Sequence, residues 1–396
     1  MAAAMMLDLS AAFDLVNHSL LLQKLQLMGF GGLEIEWFSS YLDGRSQCVY
    51  IDGKLSDLVT VPVGVPQGSV LGALLYMLFV NELPTVIHDN PDEEPEYVGC
   101  SGQNHLDCCQ RCGLLCCYVD DSTVSVSSDN PQDLTTRLSK VYTKLADYFG
   151  SNKLVINSEK THLLVIGTRK HALIREQVTI NTGSETIKPT ESEKLLGLSI
   201  HQSLKWKEHV VAGKGSLLCS LTSRLNGLKK VAKNASFKTR LLIANACFNS
   251  VLTYMIVIWG GAEGYVIKMI QVMQNRAARI VTKQSWFTPT KVLLRQCNWL
   301  SIRQMVFLHS VIQIWKVLNN GGPRSIYSKL RITSTRSGQH GNLAITAHET
   351  SLGRNSFFVR ALQMWNSTPQ ELRKEKSLQT FKRKLKQWIR ANIEIE

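Results

Sequence analysis

Residues 114–126 of the chain are LLCCYVDDSTVSV. Apolar and β-branched residues on both sides of the acidic pair predict two strands, so Asp120 and Asp121 fall in the turn between them. A tight turn directs short carboxylates toward one point. Adjacent aspartates repel each other, and bound cations would neutralise the pair. The alternative is an ordinary solvated turn, where Asp is common.

A third aspartate, Asp8, follows the apolar run AAAMML at residues 2–7, which could form a neighbouring strand. Oxygen ligands favour hard ions such as Mg²⁺, which binds one or two carboxylates together with substrate phosphates. Two such ions about 3.5–4 Å apart would stabilise both reacting oxygens of a phosphoryl transfer. Asp8 could equally be a helix cap, because residues 11–27 have helical spacing.

The order of three segments favours the catalytic alternative. These are LDLSAAFD at residues 7–14, VPQGSVLG at 65–72 and YVDD at 118–121. They resemble motifs A, B and C of a reverse transcriptase palm, in particular that of non-LTR (LINE-type) retrotransposons. The resemblance implies an RNA-directed DNA polymerase that joins a dNTP to a primer 3′-hydroxyl on an RNA template. A viral RNA-dependent RNA polymerase is disfavoured, because Val119 stands where those enzymes usually have Gly.

The resemblance also assigns roles to the acidic residues and to one aromatic residue. Asp8 and Asp120 match the aspartates that hold two Mg²⁺ ions, and Asp121 matches a second motif C aspartate with a secondary part. Phe13 matches the steric gate that stacks under the deoxyribose and rejects a 2′-hydroxyl. The alternative for Phe13 is an ordinary core position on a helix.

Five further residues receive roles from the resemblance. Pro66, Gln67 and Gly68 match the motif B turn, where Gln67 would contact template or nucleotide and Gly68 would permit close approach; a helix with free N–H groups follows. Lys160, in a segment that resembles motif D, is a candidate proton donor to the leaving pyrophosphate or simply a surface charge. Gly197 matches the hairpin of the motif E primer grip.

The implied fold is α+β, with an antiparallel palm sheet and packed helices, a helical thumb and a basic C-terminal region. We predict a palm at residues 1–200, a thumb or connection at 201–320 and the basic region at 321–396. Members of the family carry a fingers subdomain before motif A, with basic residues that bind the triphosphate. The first Lys or Arg of this chain is Lys24, so no residue before motif A can play that part. We therefore expect a 5′-truncated copy, for which a catalytically deficient nucleic-acid-binding remnant is the alternative function.

Charge divides the chain into unlike halves. Residues 1–200 carry 14 Lys+Arg against 24 Asp+Glu, whereas residues 201–396 carry 31 against 7. Phosphate contacts dominate nucleic-acid affinity, so the basic half is suited to hold a nucleic acid, and the alternative is a solubilising tail. Four tryptophans near basic residues could stack on bases or belong to the core; they are Trp206, Trp286, Trp315 and Trp388.

Six cysteines crowd into residues 100–117. An insertion at about 89–113 contains Cys100, His105, Cys109 and Cys112, which would suffice for a tetrahedral Zn²⁺ site. Reduced thiols without metal are the alternative for an intracellular protein.

No signal peptide is recognisable, so the nucleus or cytoplasm is expected. The apolar segment 241–259 suggests a membrane span, but Asn245 and Asn249 interrupt it, and we favour a buried thumb helix without membrane contact. Periodicity predicts further elements. The helices are 12–27, 33–42, 70–83 and 133–151; the strands are 46–51, 58–63, 115–119, 123–127 and 163–167, with a hairpin turn at Asp52-Gly53.

Overall fold

The structure is a computed structural model that describes residues 1–87, 114–167, 171–183, 185–213, 215–319, 321–322, 324–327, 329–333, 341–348 and 350–394. It divides into two compact units, Met1–Glu193 and Lys194–Glu396. The domain limits predicted at residues 200 and 320 stay predictions. The cysteine-rich insertion, with the candidate zinc ligands Cys100, His105, Cys109 and Cys112, lies outside the described residues.

The first unit mixes strands and helices in the α+β manner that the sequence predicts. Its strands are β1 (Ala2–Leu7), β2 (Ser46–Gln47), β3 (Tyr50–Ile51), β4 (Lys54–Leu55), β5 (Val59–Thr60), β6 (Leu114–Tyr118), β7 (Asp121–Ser127), β8 (His162–Ile166), β9 (Ile180–Asn181), β10 (Thr186–Ile187) and β11 (Pro189–Thr190). Its helices are α1 (His18–Leu27), α2 (Gly32–Leu42), α3 (Val70–Phe79), α4 (Leu83–Val86), α5 (Pro131–Ser151) and α6 (Ala172–Arg175), with a 3₁₀ turn at Ser158–Lys160.

A five-stranded sheet organises this unit in the order β11-β8-β1-β7-β6. The apolar strand β1 lies between β7 and β8 and is antiparallel to both, with Met5 opposite Val124 and Leu163. All three of these side chains are buried. The long helix α5 packs an apolar stripe into the same core, from Leu134 to Phe149. The sheet therefore fixes the ends of β1 and β7 beside each other.

The turn predicted at Asp52-Gly53 is present. Both residues have positive φ, 47° and 81°, as a two-residue type I′ hairpin turn requires. The turn joins β3 to β4. Further from the turn, β2, which precedes β3, pairs with β5, which follows β4. The two predicted strands are thus a single hairpin interrupted in the middle.

The helix predicted at 12–27 begins only at His18, so its first turn and a half was predicted wrongly. The carbonyl oxygens of Phe13 and Val16 accept hydrogen bonds from the amides of Val65 and Gly64 at 2.8 Å. A helix would need those carbonyls for its own ladder. Asn17 caps α1 instead, with its side-chain oxygen 3.0 Å from the amide of Leu20. The predicted helix 70–83 likewise ends early, at Phe79, before the short helix α4.

In the residues that the structure describes, the second unit is mainly helical. It begins within β12 (Ser192–Leu195), which forms a hairpin with β13 (Leu198–His201). Its helices are α7 (Lys207–Val210), α8 (Leu217–Val231), α9 (Phe237–Ile243), α10 (Ser250–Thr253), α11 (Ile256–Trp259), α12 (Gly264–Thr282), α13 (Thr290–Gln296), α14 (Ile302–Leu318), α15 (Arg324–Tyr327), α16 (Ser351–Arg354), α17 (Phe357–Ser367), α18 (Gln370–Arg373) and α19 (Leu378–Asn392). The apolar helix α14 packs against α17 and α19 in a continuous core.

The single buried helix predicted for 241–259 is instead several short pieces. A π-helical segment, Ala244–Asn249, separates α9 from α10, and Met255 has a left-handed backbone with φ 50° between α10 and α11. Phe248 and Trp259 are nevertheless fully buried. Nowhere in the described parts of the chain is a helix both long and apolar enough to cross a membrane.

Candidate active site

Three carboxylates meet at one end of the central sheet. Leu7 pairs with Ser122 across β1 and β7, so the next residues, Asp8 and Asp121, lie side by side. Tyr118 pairs with Asp121 across the β6–β7 turn that contains Asp120. Burial raises the pKa of the Asp121 carboxyl above its ordinary value, and the negative charges of Asp120 and Asp8 raise it further. The three acidic groups therefore share one electrostatic environment.

The turn that carries Asp120 has an unusual backbone. Val119 has φ 59°, in the left-handed region that β-branched residues strongly avoid. The paired strands on each side hold it there. Strain of this kind is costly and persists where the surrounding structure fixes it, often at functional sites. The turn is thus a stiff support for the carboxylates.

The segment that resembles motif D is bound to the backbone around Asp8. The amide of Asn157 donates to the carbonyl oxygen of Asp8 at 2.9 Å, and the amide of Ser10 donates to Val155 at 2.9 Å. The Asn157 side chain caps the following 3₁₀ turn through the amide of Lys160, at 3.2 Å. This turn brings Lys160 Nζ to 3.6 Å from Asp8 Oδ2. Lys160 thus lies next to Asp8 although it is 152 positions further along the chain.

The donor set fits a divalent cation. Asp8 Oδ2 is buried and, among the residues that the structure describes, has no hydrogen-bond partner. Its nearest cation is Lys160 Nζ at 3.6 Å, and a carboxylate oxygen that makes no hydrogen bond and lies beside two further aspartates is a suitable hard ligand for a divalent cation. Within those same residues, no group of three or more His, Cys, Asp or Glu side chains is arranged so that it could hold a metal ion. Asp8 and Asp120 could therefore bind a cation that takes its remaining ligands from phosphate and water.

A cleft of about 400 Å³ opens beside Asp120. It is lined by Phe13, Gln67, Gly68, Ser69, Val70, Ala73 and Asp120. Phe13 stacks on Tyr76 with 4.9 Å between ring centroids, and Tyr76 is almost fully buried. The stack holds the Phe13 ring at the floor of the cleft. Predicted residues from motif A (Phe13), motif B (Gln67 and Gly68) and motif C (Asp120) thus line a single cavity, whereas Asp8, Pro66 and Asp121 are not among its lining residues.

The motif B turn is built by short local contacts. Gly68 has φ 77°, which favours glycine. Ser69 Oγ donates to the carbonyl oxygen of Pro66 at 2.8 Å and accepts from the amide of Gly72 at 2.9 Å, capping α3. A Cβ on Gly72 would lie 2.2 Å from that same carbonyl oxygen. Pro66 and Gly72 therefore shape the turn, while Gln67 and Gly68 face the cleft.

Gly197 lies in the second unit, in the β12–β13 turn. Leu196 and Gly197 both have positive φ, 47° and 82°. The hydroxyl of Tyr254 donates to the carbonyl oxygen of Leu196 at 2.6 Å, and a Cβ on Gly197 would meet the Tyr254 ring at 3.5 Å. Tyr254 stands at the break between α10 and α11, so the irregular backbone there supports the hairpin.

Sequence reasoning overlooked Ser69, Tyr76 and Tyr254. Ser69 and Tyr76 had a detectable signal, because Ser69, Ala73 and Tyr76 follow the i, i+4, i+7 spacing of one helix face. Tyr254 had none, since its partner lies 58 residues earlier.

Comparison with known proteins identifies the family. Residues 2–200 match the family described as reverse transcriptase (RNA-dependent DNA polymerase). The chain belongs to this family. It is also similar to three Drosophila melanogaster proteins, and these relatives confirm the expected non-LTR (LINE) type.

The relatives are distant and much longer. The probable RNA-directed DNA polymerase from transposon BS is 26% identical over 78% of this chain and 32% of its own length. The corresponding X-element protein is 27% identical over 78% and 31%, and that of mobile element jockey is 23% identical over 83% and 33%. This reverse transcriptase chain thus spans about a third of the curated relatives that it matches. Among solved structures, apo telomerase from Candida tropicalis aligns with a TM-score of 0.39 at 14% identity, covering 78% of this chain and 46% of that one.

Proposed function

We propose that the chain is an RNA-directed DNA polymerase that joins dNTPs to the 3′-hydroxyl of a DNA primer on an RNA template. The observation that carries the proposal is that Asp8 and Asp121 lie side by side next to the turn of Asp120, and that Asp120 lines one cleft with Phe13 and Gln67. These residues come from segments far apart in sequence, and each would be needed for the same reaction. We expect it to act in the nucleus or cytoplasm.

The cleft suits an incoming nucleotide in its size and lining. A ring as large as Phe13 at the floor, held by its stack on Tyr76, would leave room for a deoxyribose but not for a 2′-hydroxyl. Gln67 and Gly68 lie in the turn that precedes α3, where a side-chain amide can contact a base and glycine leaves space beside it. Binding in this position would place the triphosphate toward Asp120.

The reaction would break the O–H bond of the primer 3′-hydroxyl, whose proton would pass to water, and form a bond between that oxygen and the α-phosphorus. The bond from the same phosphorus to pyrophosphate would break. Two Mg²⁺ ions, when bound, would supply the positive charge that stabilises the attacking and leaving oxygens. Asp8 and Asp120 would hold those ions and keep the primer hydroxyl aligned. Lys160 can donate a proton to the departing pyrophosphate from beside Asp8.

Primer extension with the purified chain, an RNA template, a DNA primer, dNTPs and Mg²⁺ tests the proposal. Asp8→Asn and Asp120→Ala should each reduce extension about 10³-fold or more, since several kcal/mol of charge stabilisation would be lost. Asp57→Asn is the matched control, because Asp57 is exposed on the β4–β5 segment. If the wild-type chain binds template–primer but extends nothing at any divalent-metal concentration, the alternative of a binding remnant without catalysis is correct.

A further inference from the structure

The loop between α12 and α13, residues 283–289, exposes two large aromatic rings. Trp286 is 63% exposed and Phe287 is 90% exposed. Of the four tryptophans near basic residues, Trp315 is buried, and Trp206 and Trp388 pack half-buried against the core. Trp286 alone of these four is free to stack on a ligand. We call residues 283–289 the aromatic loop.

The aromatic loop is held in a fixed shape. Arg279 Nη2 donates to the carbonyl oxygen of Trp286 at 3.0 Å, and the amide of Thr288 donates to Ser285 at 3.1 Å. The Arg279 guanidinium also lies over the Trp286 ring, 4.7 Å from its centroid. One face of the indole is therefore covered, and its orientation is set. A ligand can stack only on the opposite face.

The charge around the loop selects the class of ligand. Residues 264–348 contain no Asp or Glu but twelve Lys and Arg. Lys283 is exposed at the start of the aromatic loop, and the exposed Lys291 and Arg295 follow the loop in sequence. A ligand complementary to this surface must be polyanionic and must present flat apolar faces. Unpaired nucleic-acid strands have both properties, since bases stack on aromatic rings while phosphates contact cations.

We propose that the aromatic loop is a stacking site for unpaired bases of a single-stranded nucleic acid. One base stacks on the open face of Trp286 and its neighbour on Phe287, while Lys283 and Lys291 bind the adjoining phosphates. The aromatic loop belongs to the second unit and the cleft beside Asp120 to the first, and base stacking on the loop does not require polymerase activity. Either RNA or DNA has the necessary chemistry.

Fluorescence anisotropy of the full chain with labelled 20-mers of thymidylate, of uridylate and of abasic sugar-phosphate separates base stacking from charge. Wild type should prefer thymidylate to the abasic strand. Trp286→Ala/Phe287→Ala should weaken thymidylate binding about 25-fold or more, because each of the two stacked bases contributes about 5- to 160-fold. Binding of the abasic strand should stay within twofold. Trp286→Phe should retain most of the preference, and comparing uridylate with thymidylate shows whether the site favours RNA.

Salt dependence and matched controls complete the experiment. Lys283→Ala should lower the slope of log affinity against log salt by about 0.7, whereas the aromatic variants should leave that slope unchanged. Tyr265→Ala, which removes an aromatic ring exposed at the start of α12, should not change base preference. Circular dichroism and melting temperature verify folding of each variant.

Three results would overturn the proposal that the aromatic loop stacks unpaired bases. The first is a double variant that keeps the wild-type preference for bases over the abasic strand. The second is a wild type with no such preference. The third is wild-type binding to phosphatidylserine vesicles that depends on Trp286 while thymidylate binding does not, which would assign the loop to an anionic lipid surface instead.

Discussion

Lys160 Nζ lies 3.6 Å from Oδ2 of Asp8. Asp8 directly follows β1, and Lys160 ends the 3₁₀ turn after α5. The hydrogen bond from the amide of Asn157 to the carbonyl oxygen of Asp8 brings the two side chains together. The lysine is well exposed, with 68% of its side chain accessible. An exposed ion pair contributes little stability, so a role in chemistry is the more informative interpretation of this contact.

Lys160→Ala should reduce kcat about 100-fold and leave KM for dNTP nearly unchanged, because general-acid catalysis contributes about 10²–10⁴-fold in the transition state. Lys160→Arg keeps the positive charge beside Asp8 but does not release a proton near neutral pH. It should therefore be nearly as slow as Lys160→Ala in single-turnover extension. Recovery of the wild-type rate by Lys160→Arg would show that charge alone matters. Lys188→Ala, at an exposed lysine of the same unit, is the control.

Phe13→Ala should allow ribonucleotides into the cleft. Removing the ring opens space where a 2′-hydroxyl would lie, so the preference for dNTP over rNTP should fall about tenfold or more, as 1.4 kcal/mol or more of discrimination is lost. Single-nucleotide incorporation with dGTP and GTP on one template measures this preference. Tyr76→Phe keeps the ring beneath Phe13 and should leave the preference unchanged. If Phe13→Ala slows both substrates equally, the ring has only a packing role.

Lys24→Met should destabilise the first unit by about 1–3 kcal/mol. The buried Lys24 ammonium donates to the carbonyl oxygen of Phe79 and to Glu82 Oε2, both at 2.9 Å. Its removal leaves the Phe79 carbonyl oxygen without this hydrogen bond. Glu82→Gln should cost less than about 1 kcal/mol, because the Glu82 side chain is 50% accessible and regains water. Urea unfolding measures both, with Lys54→Met on the exposed hairpin as control. Equal effects of the two substitutions would contradict this assignment.

The second unit should lose stability as pH falls below about 6.5. Burial lowers the pKa of His209, with Lys194 adding to the effect, and His209 Nδ1 accepts a hydrogen bond from the amide of Ser199 at 3.3 Å. Burial also lowers the pKa of His309, and the nearby Lys382 and Lys316 lower it further.

Because both folded-state pKa values lie below the unfolded value, the unfolded chain binds more protons in this window, and the free energy of unfolding decreases as pH decreases. Melting temperatures between pH 7.5 and 5.5 should therefore decline. His209→Gln/His309→Gln should flatten the decline. A double variant with an undiminished decline would assign the pH dependence to other groups.

The motifs were readable from the sequence because each is a local pattern. An apolar run before Asp8, a Pro-x-Gly turn before α3 and strands around Asp120-Asp121 depend on neighbours a few residues away. The Asp52-Gly53 hairpin was predictable for the same reason. The helix predicted from residue 12 is absent before His18, because the amides of Gly64 and Val65 bind carbonyl oxygens that a helix would have used for its own hydrogen bonds.

The sequence by itself determined the family, the α+β class and the unequal charge of the two halves, since these follow from residue order and composition. Only the tertiary structure decided that Lys160 lies beside Asp8, that Phe13 rests on Tyr76, and that Trp286 is exposed while Trp315 is buried. Those relationships depend on the packing of segments distant along the chain. A local pattern specifies the conformation of its own residues but not which remote surface will cover them.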